Sequence, residues 1–256
     1  MVVPFSRTFE QARSFDKAAR YVLYIATALA IIAFFFQLDN EARRPVSDLI
    51  DSINSIFIVA YGLLVIITNY IIYEASVQKR MDFIDNSFAT TYSEESSKGY
   101  FSNDEVEQGI YKMAVNGFEN ALFTYNVSKR MLKPLWIQNA LIGVLFILFA
   151  FTGQNNAFIM LLKLVLPIIL FTQAVNQTLF VGRVKRIYEN YRRLFQDLKN
   201  TPDKEFSKTP EILINVIEYE ATLSWSGILL NTDIYNSLNE ELSSEWETMK
   251  ERCQIR

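Results

Sequence analysis

One lysine, one proline and three amides within a single apolar stretch hold most of the chemical promise of this sequence. Between Ala157 and Gly182 the only charge is Lys163, and Pro167 stands four residues beyond it. A charge inside such a run is costly unless it reaches water or a partner. Proline has no amide hydrogen, so Pro167 frees the carbonyl of Lys163 and can bend the helix there as a gating kink. Further on, Gln173, Asn176 and Gln177 fall at i, i+3 and i+4, which puts three amides on one helical face. From Lys163 to Gln177, at ~100° per residue, the rotation is about 40° short of four turns, so both share that face. Lys163, Gln173, Asn176 and Gln177 are therefore the expected pore-lining residues. The bland alternative has equal standing: a lysine that snorkels and amides that glue helices together.

A second set could bind an anionic ligand. Arg192 and Arg193 lie farther from this run than Arg183, Lys185 and Arg186, and arginine forks suit phosphate. Tyr188 and Tyr191 stand beside them and could stack on a base; equally, they could simply pack their helix. Lys129, Arg130, Lys133, Arg183, Lys185 and Arg186 are what a membrane protein carries as anchors. An acidic group, Glu94, Glu95, Asp104, Glu105 and Glu107, has no calcium-loop spacing, so it reads as a solvated polar break.

Composition removes most other chemistry. Among 256 residues there is no histidine, which excludes Ser-His-Asp and Cys-His nucleophiles and histidine-dependent zinc sites. The single cysteine, Cys253, excludes an internal disulfide, a CxxC pair and a thiolate cluster. Eight scattered glycines form no phosphate-cradling loop. A net charge of −3 gives no field to recruit long nucleic acid. The expectation is a protein that is not an enzyme and needs neither metal nor cofactor.

These residues must be positioned by helices. Tyr21–Leu38, Ser55–Tyr73 and Pro134–Thr152 are uncharged, and with Ala157–Gly182 they make four apolar runs. Each is long enough for a helix to cross a bilayer, which takes roughly twenty residues. Lysine and arginine gather before the first and third runs and after the second and fourth, so the positive-inside rule places both termini and the centre in the cytoplasm. Tyr21, Tyr73 and Trp136 fit an interfacial aromatic belt. The expected fold is an all-helical membrane protein with four transmembrane helices in two hairpins. Its parts are an amphipathic leading helix at 1–20, a transmembrane hairpin at 21–73 and a cytoplasmic helical hairpin at 74–133. A second transmembrane hairpin at 134–182 and cytoplasmic C-terminal helices at 183–256 complete it. Within the centre, Ser102 and Glu105 form a capping-box pattern that predicts a helix start there, with a bend at Asn116-Gly117 and an end at Pro134. Residues 203–256 hold eleven acidic and five basic side chains, an acidic tail at −6.

The layout resembles the SMODS-associating four-span effectors, which accompany bacterial nucleotidyltransferases in antiphage defence. RTFEQARSFDKAAR (7–20) is similar to the family's amphipathic basic helix before its first span. VQKRMDFIDNSF (77–88) resembles its Asp-and-Phe element, and ENALFTYNVSKRM (119–131) and VGRVKRIYENYRRLFQDLK (181–199) resemble its basic connecting helices. LSWSGILLNTDIYNSLNEELSSEWETM (223–249) is similar to its C-terminal stretch with a Trp/Tyr pair and an acidic helix. The family's Leu-Pro-Trp after the central phenylalanine is absent. The resemblance implies an inner-membrane effector that contacts lipid, assembles as a homo-oligomer, for example a tetramer, and permeabilises the membrane. Its control would come from a nucleotide or oligonucleotide signal made by a partner nucleotidyltransferase. A membrane-anchored scaffold docking another defence protein is the alternative.

Overall fold

Once a first turn is fixed, each further residue of an uninterrupted run adds a backbone bond, so long runs make long helices. In the computed structural model they become α1 (Pro4–Asp39), α2 (Arg44–Phe88), α3 (Ile110–Ala150) and α4 (Ala157–Asn200). A 3-10 turn, Phe206–Lys208, leads into α5 (Thr209–Ser226), and α6 (Thr232–Cys253) follows. The structure describes residues 4–39, 44–93, 103–150, 157–200 and 206–255, without the side chains at 4, 34–39, 44, 145–150, 157–167 and 206. Among the described residues there is no strand, as an all-helical chain requires.

The short helices end where local chemistry stops them. Pro210 sits in the first turn of α5, where its missing N–H costs nothing. Gly227 closes that helix at φ 58°, its N–H bonded 3.2 Å from the Leu223 carbonyl. Asn231 caps α6 by accepting the Ile234 N–H at 2.9 Å.

Two local expectations need correction. The helix expected from the Ser102/Glu105 pattern starts later, at Ile110; Ser102 itself lies outside the described residues. Residues 103–106 form a turn with the Val106 N–H 3.2 Å from the Asn103 carbonyl, and Gly109 at φ 145° is not helical. The Gly109 N–H goes instead to the Ser87 carbonyl, 2.8 Å away. Pro134 does not end a helix but lies inside α3, on its exposed side. At Asn116-Gly117, within α3, the glycine admits a ring. A Cβ on Gly117 would lie 2.9 Å from Cζ of Tyr191, whose side chain is wholly buried. Gly117→Ala should therefore lose about 1–3 kcal/mol to overpacking despite its better helix propensity, as read from the urea midpoint.

The chain divides into two compact units. One holds Arg7–Glu74 and Asn139–Thr172; the other holds Met1–Ser6, Ala75–Gln138 and Gln173–Arg256. In the first, the hairpin unit, α1 buries Ala12, Ala19, Ala26 and Ala33, one every seven residues. On α2 the buried Ser47, Asn54 and Thr68 fall on the same seven-residue spacing. Such a repeat is the signature of two helices held seam to seam, and small side chains let the backbones approach closely. Ser47 Oγ donates to the Ala33 carbonyl at 3.4 Å, which fixes the antiparallel register.

The second, the core unit, is organised around Phe118 of α3. Its ring stacks on Phe195 at 5.4 Å and on Tyr191 at 6.0 Å, and meets Trp246 edge-on at 5.4 Å. Leu122, Val115, Leu194 and Ile212 are likewise shut away from solvent.

Among the described residues one helix, Pro45–Phe88, is long and apolar enough to cross a membrane, with a best-window mean hydropathy of 2.2. Its apolar side chains face outward rather than into a core: Ile56, Val59, Leu63, Ile66 and Tyr70 are all exposed. The other three runs fall partly at 34–39, 145–156 and 157–167, where side chains or whole residues lie outside the description.

Candidate functional site

On α4 the amide trio divides. Gln177 is buried, and its Nε2 donates to the Ser128 carbonyl of α3 at 3.3 Å. Gln173 and Asn176 are exposed. The side chains of Lys163 and Pro167 lie outside the described residues, although the helix itself continues through both positions. One amide thus joins α4 to α3 within a single chain, while the other two are open to solvent. A nearby bond supports the same junction: the Trp136 indole donates to Thr178 Oγ1 at 3.1 Å.

The proposed ligand set divides in the same way. Arg192 and Arg193 are exposed, and Arg193 donates to Asn190 Oδ1 at 3.1 Å. Tyr188 is half-buried, stacked on Tyr125 at 5.8 Å. Burial raises its phenol above the usual range; the Glu245 carboxylate adds to this and Arg192 partly offsets it. Tyr191 packs the helix: its ring is in the core, its hydroxyl has no hydrogen-bond partner, and burial holds the phenol far above the usual range. Of the two rings, only Tyr188 is partly open to solvent.

Several basic anchors have local partners. Arg183 lies over the Trp225 ring, 4.2 Å from its centroid, and Lys129 lies over Tyr125 at 5.5 Å. Arg80 reaches Ser224 Oγ at 3.2 Å and Glu220 at 3.7 Å. Of the acidic group, Glu94 and Glu95 lie outside the described residues; Asp104, Glu105 and Glu107 are exposed. Glu105 meets Lys250 Nζ at 3.5 Å, and no metal-holding group of His, Cys, Asp or Glu occurs among the described residues.

Two polar devices went unread in the sequence. In the first, Asn103 and Asn116 are completely buried. Asn103 Nδ2 donates to Asn116 Oδ1 at 3.0 Å and to Glu119 at 2.7 Å, while its Oδ1 accepts the Trp246 indole N–H at 3.2 Å. Asn116 donates onward to Asn86 Oδ1 at 2.8 Å. This clasp ties the segment before α3 to α2, α3 and α6. The second device is Asp85, which accepts from Thr90 Oγ1 at 2.7 Å, Tyr92 N–H at 2.8 Å and both the N–H and hydroxyl of Ser93. Burial opposes its charge, but these donors outweigh burial and hold the carboxyl at about 2. A depressed carboxyl stabilises the fold at pH values above its unfolded range and loses that contribution as pH falls through its folded value. About 2 kcal/mol should therefore disappear between roughly pH 4 and pH 2. Asp85→Asn should flatten that acid limb in a denaturant titration.

The comparisons with known proteins add no identity: no family model, curated protein or solved structure matches the chain. Fold and site define its class as an all-helical protein with one helix long and apolar enough to span a membrane.

Proposed function

We propose that this chain is a membrane effector that forms an oligomeric ion-conducting pore in a bacterial inner membrane. All four apolar runs cross the bilayer, both termini lie in the cytoplasm, and α4 lines the conduit through Lys163, Gln173 and Asn176, with Gln177 at the junction to α3. Pro167 gives α4 its gating bend. The single observation that carries the reading is the outward exposure of large apolar side chains on all four long helices. These are Tyr24, Ile25 and Ile32 on α1, Ile56, Leu63 and Ile66 on α2, Leu141 and Val144 on α3, and Ile168 and Phe171 on α4. A water-soluble helical protein would turn those faces inward.

The resemblance to the four-span defence effectors supplies the control: a nucleotide or oligonucleotide signal from a partner nucleotidyltransferase. Arg192, Arg193 and Tyr188 are the groups that would hold its phosphates and base. The test is ion flux from liposomes bearing the full-length protein. Lys163→Ala should change conductance or ion selectivity; unchanged currents would remove Lys163 from the lumen. One observation favours the scaffold alternative: α5 exposes Leu213, Ile214, Ile217 and Trp225 along one side. Stable capture of a defence partner through α5, without flux, would favour that reading.

A further inference from the structure

The antiparallel register of α1 and α2 places charge opposite apolar surface at one level. From the Ser47–Ala33 bond, each step of seven residues descends both helices by about 10.5 Å. The steps bring Ala26 level with Asn54, Ala19 with Tyr61, and Ala12 with Thr68. Burial of Ala12, Ala19, Ala26, Asn54 and Thr68 agrees with this register. By the same count Glu10 is level with Tyr70, Arg13 with Ile67, Lys17 with Leu63, and Arg20 with Ala60.

At this level α2 is dressed for lipid. Leu63 is 57% exposed, Ile66 66% and Tyr70 64%, and no charge occurs between Ser52 and Tyr73. Helix α1 is dressed for water. Glu10, Lys17 and Arg20 are exposed, Arg13 is half-buried with its Nε sealed off and unpaired, and Asp16 pairs with Arg20 at 2.8 Å. The uncharged stretches of the two helices are thus offset by some ten to fourteen residues, about 15–20 Å. A hydrocarbon layer ~30 Å thick cannot lie flat against both. If α2 crosses the bilayer, the charged side of α1 stands at bilayer depth. Ionisable groups there face a water-filled interior and not lipid.

We infer that Glu10, Arg13, Lys17 and Arg20 of α1 line a water-filled conduit at the depth of the inner leaflet and make it favour anions. This rests on the membrane reading above, shifts the membrane-embedded part of α1 from Tyr21–Leu38 toward Arg7–Arg20, and adds α1 to α4 among the selectivity-setting elements. The sign follows from the count: over Arg7–Arg20, four basic groups (Arg7, Arg13, Lys17, Arg20) face two acidic ones (Glu10, Asp16). Asp16 is engaged by Arg20. The wall is therefore net positive, and a ring of such walls in an oligomer attracts anions and repels cations.

The experiment uses the full-length chain with the buried Cys253 changed to serine, carrying single cysteines in sealed vesicles. A membrane-impermeant maleimide should label Lys17→Cys and Glu10→Cys at least tenfold faster than the level-matched Leu63→Cys and Tyr70→Cys. Equal fast labelling of both sides would put this level in bulk water and overturn the inference. Slow labelling of both would leave no aqueous conduit there and overturn it equally. In conducting bilayers under a KCl gradient, the reversal potential should report anion preference, and Lys17→Glu should shift it toward cations. Currents with an unmoved reversal potential would remove α1 from the conduit while leaving the pore intact. Split labelling in a membrane that never conducts would instead keep the water-filled wall and refute the pore.

Discussion

Phe118→Ala should destabilise the core unit by about 3–5 kcal/mol, the usual cost of emptying a large buried aromatic site. Phe118 has no solvent exposure and touches rings from two other helices: Phe195, Tyr191 and Tyr188 on α4, and Trp246 on α6. Truncation removes the shared partner of all four rings, and the surrounding helices can collapse only in part. For a unit of this size the melting midpoint should fall by roughly 6–20 °C. Tryptophan emission should report the change, because Trp246 is almost fully shielded. A loss below ~1 kcal/mol would mean that Phe118 is not where α3, α4 and α6 meet.

Asn103→Ala should cost about 2–4 kcal/mol, although it removes only a short polar side chain. Asn103 makes three hydrogen bonds at zero exposure, so its loss strands the Trp246 indole N–H, the Asn116 carbonyl oxygen and part of the Glu119 carboxylate. Each stranded buried group carries its own desolvation cost. Trp246→Phe deletes the indole donor and keeps much of the ring. The double variant with Asn103→Ala should then be less destabilised than the sum of the singles, by about 1 kcal/mol or more. Strict additivity would show that the Trp246–Asn103 bond contributes nothing of its own. If both singles retain wild-type stability, the clasp does not hold the segment before α3.

The long helices were legible because an uncharged run needs no tertiary information to be recognised. The outward continuation of α2 and α4 showed in Val77, Met81 and Ile84 and in Ile187, Tyr191 and Leu194, whose spacing keeps one side apolar beyond the runs. Other features depended on partners distant in sequence. Asn103 looks like any loop asparagine until Trp246, more than a hundred residues away, donates to it. Tyr191 could by sequence either pack its helix or offer its ring to a base; the notch at Gly117 that receives it lies more than seventy residues away. The i, i+3, i+4 amides share a face in sequence terms, yet a rotation of 100° between neighbours is enough to bury Gln177 and expose Asn176. The seven-residue alanine repeat of α1 was visible in principle, since Ala12, Ala19, Ala26 and Ala33 are evenly spaced. Its meaning required the matching repeat on α2, because only the pair sets which charges stand level with which apolar groups.

The proposed activity of this chain is ion conduction through a bilayer. Single-channel recording with the purified full-length protein in planar bilayers tests it most directly. Recordings would be made in KCl without nucleotide, then with a cyclic dinucleotide and with a short oligonucleotide. Discrete unitary currents are expected in at least one of these conditions, with amplitude or selectivity altered by Lys163→Ala. Bilayers that contain inserted protein and stay electrically silent in all three would contradict it.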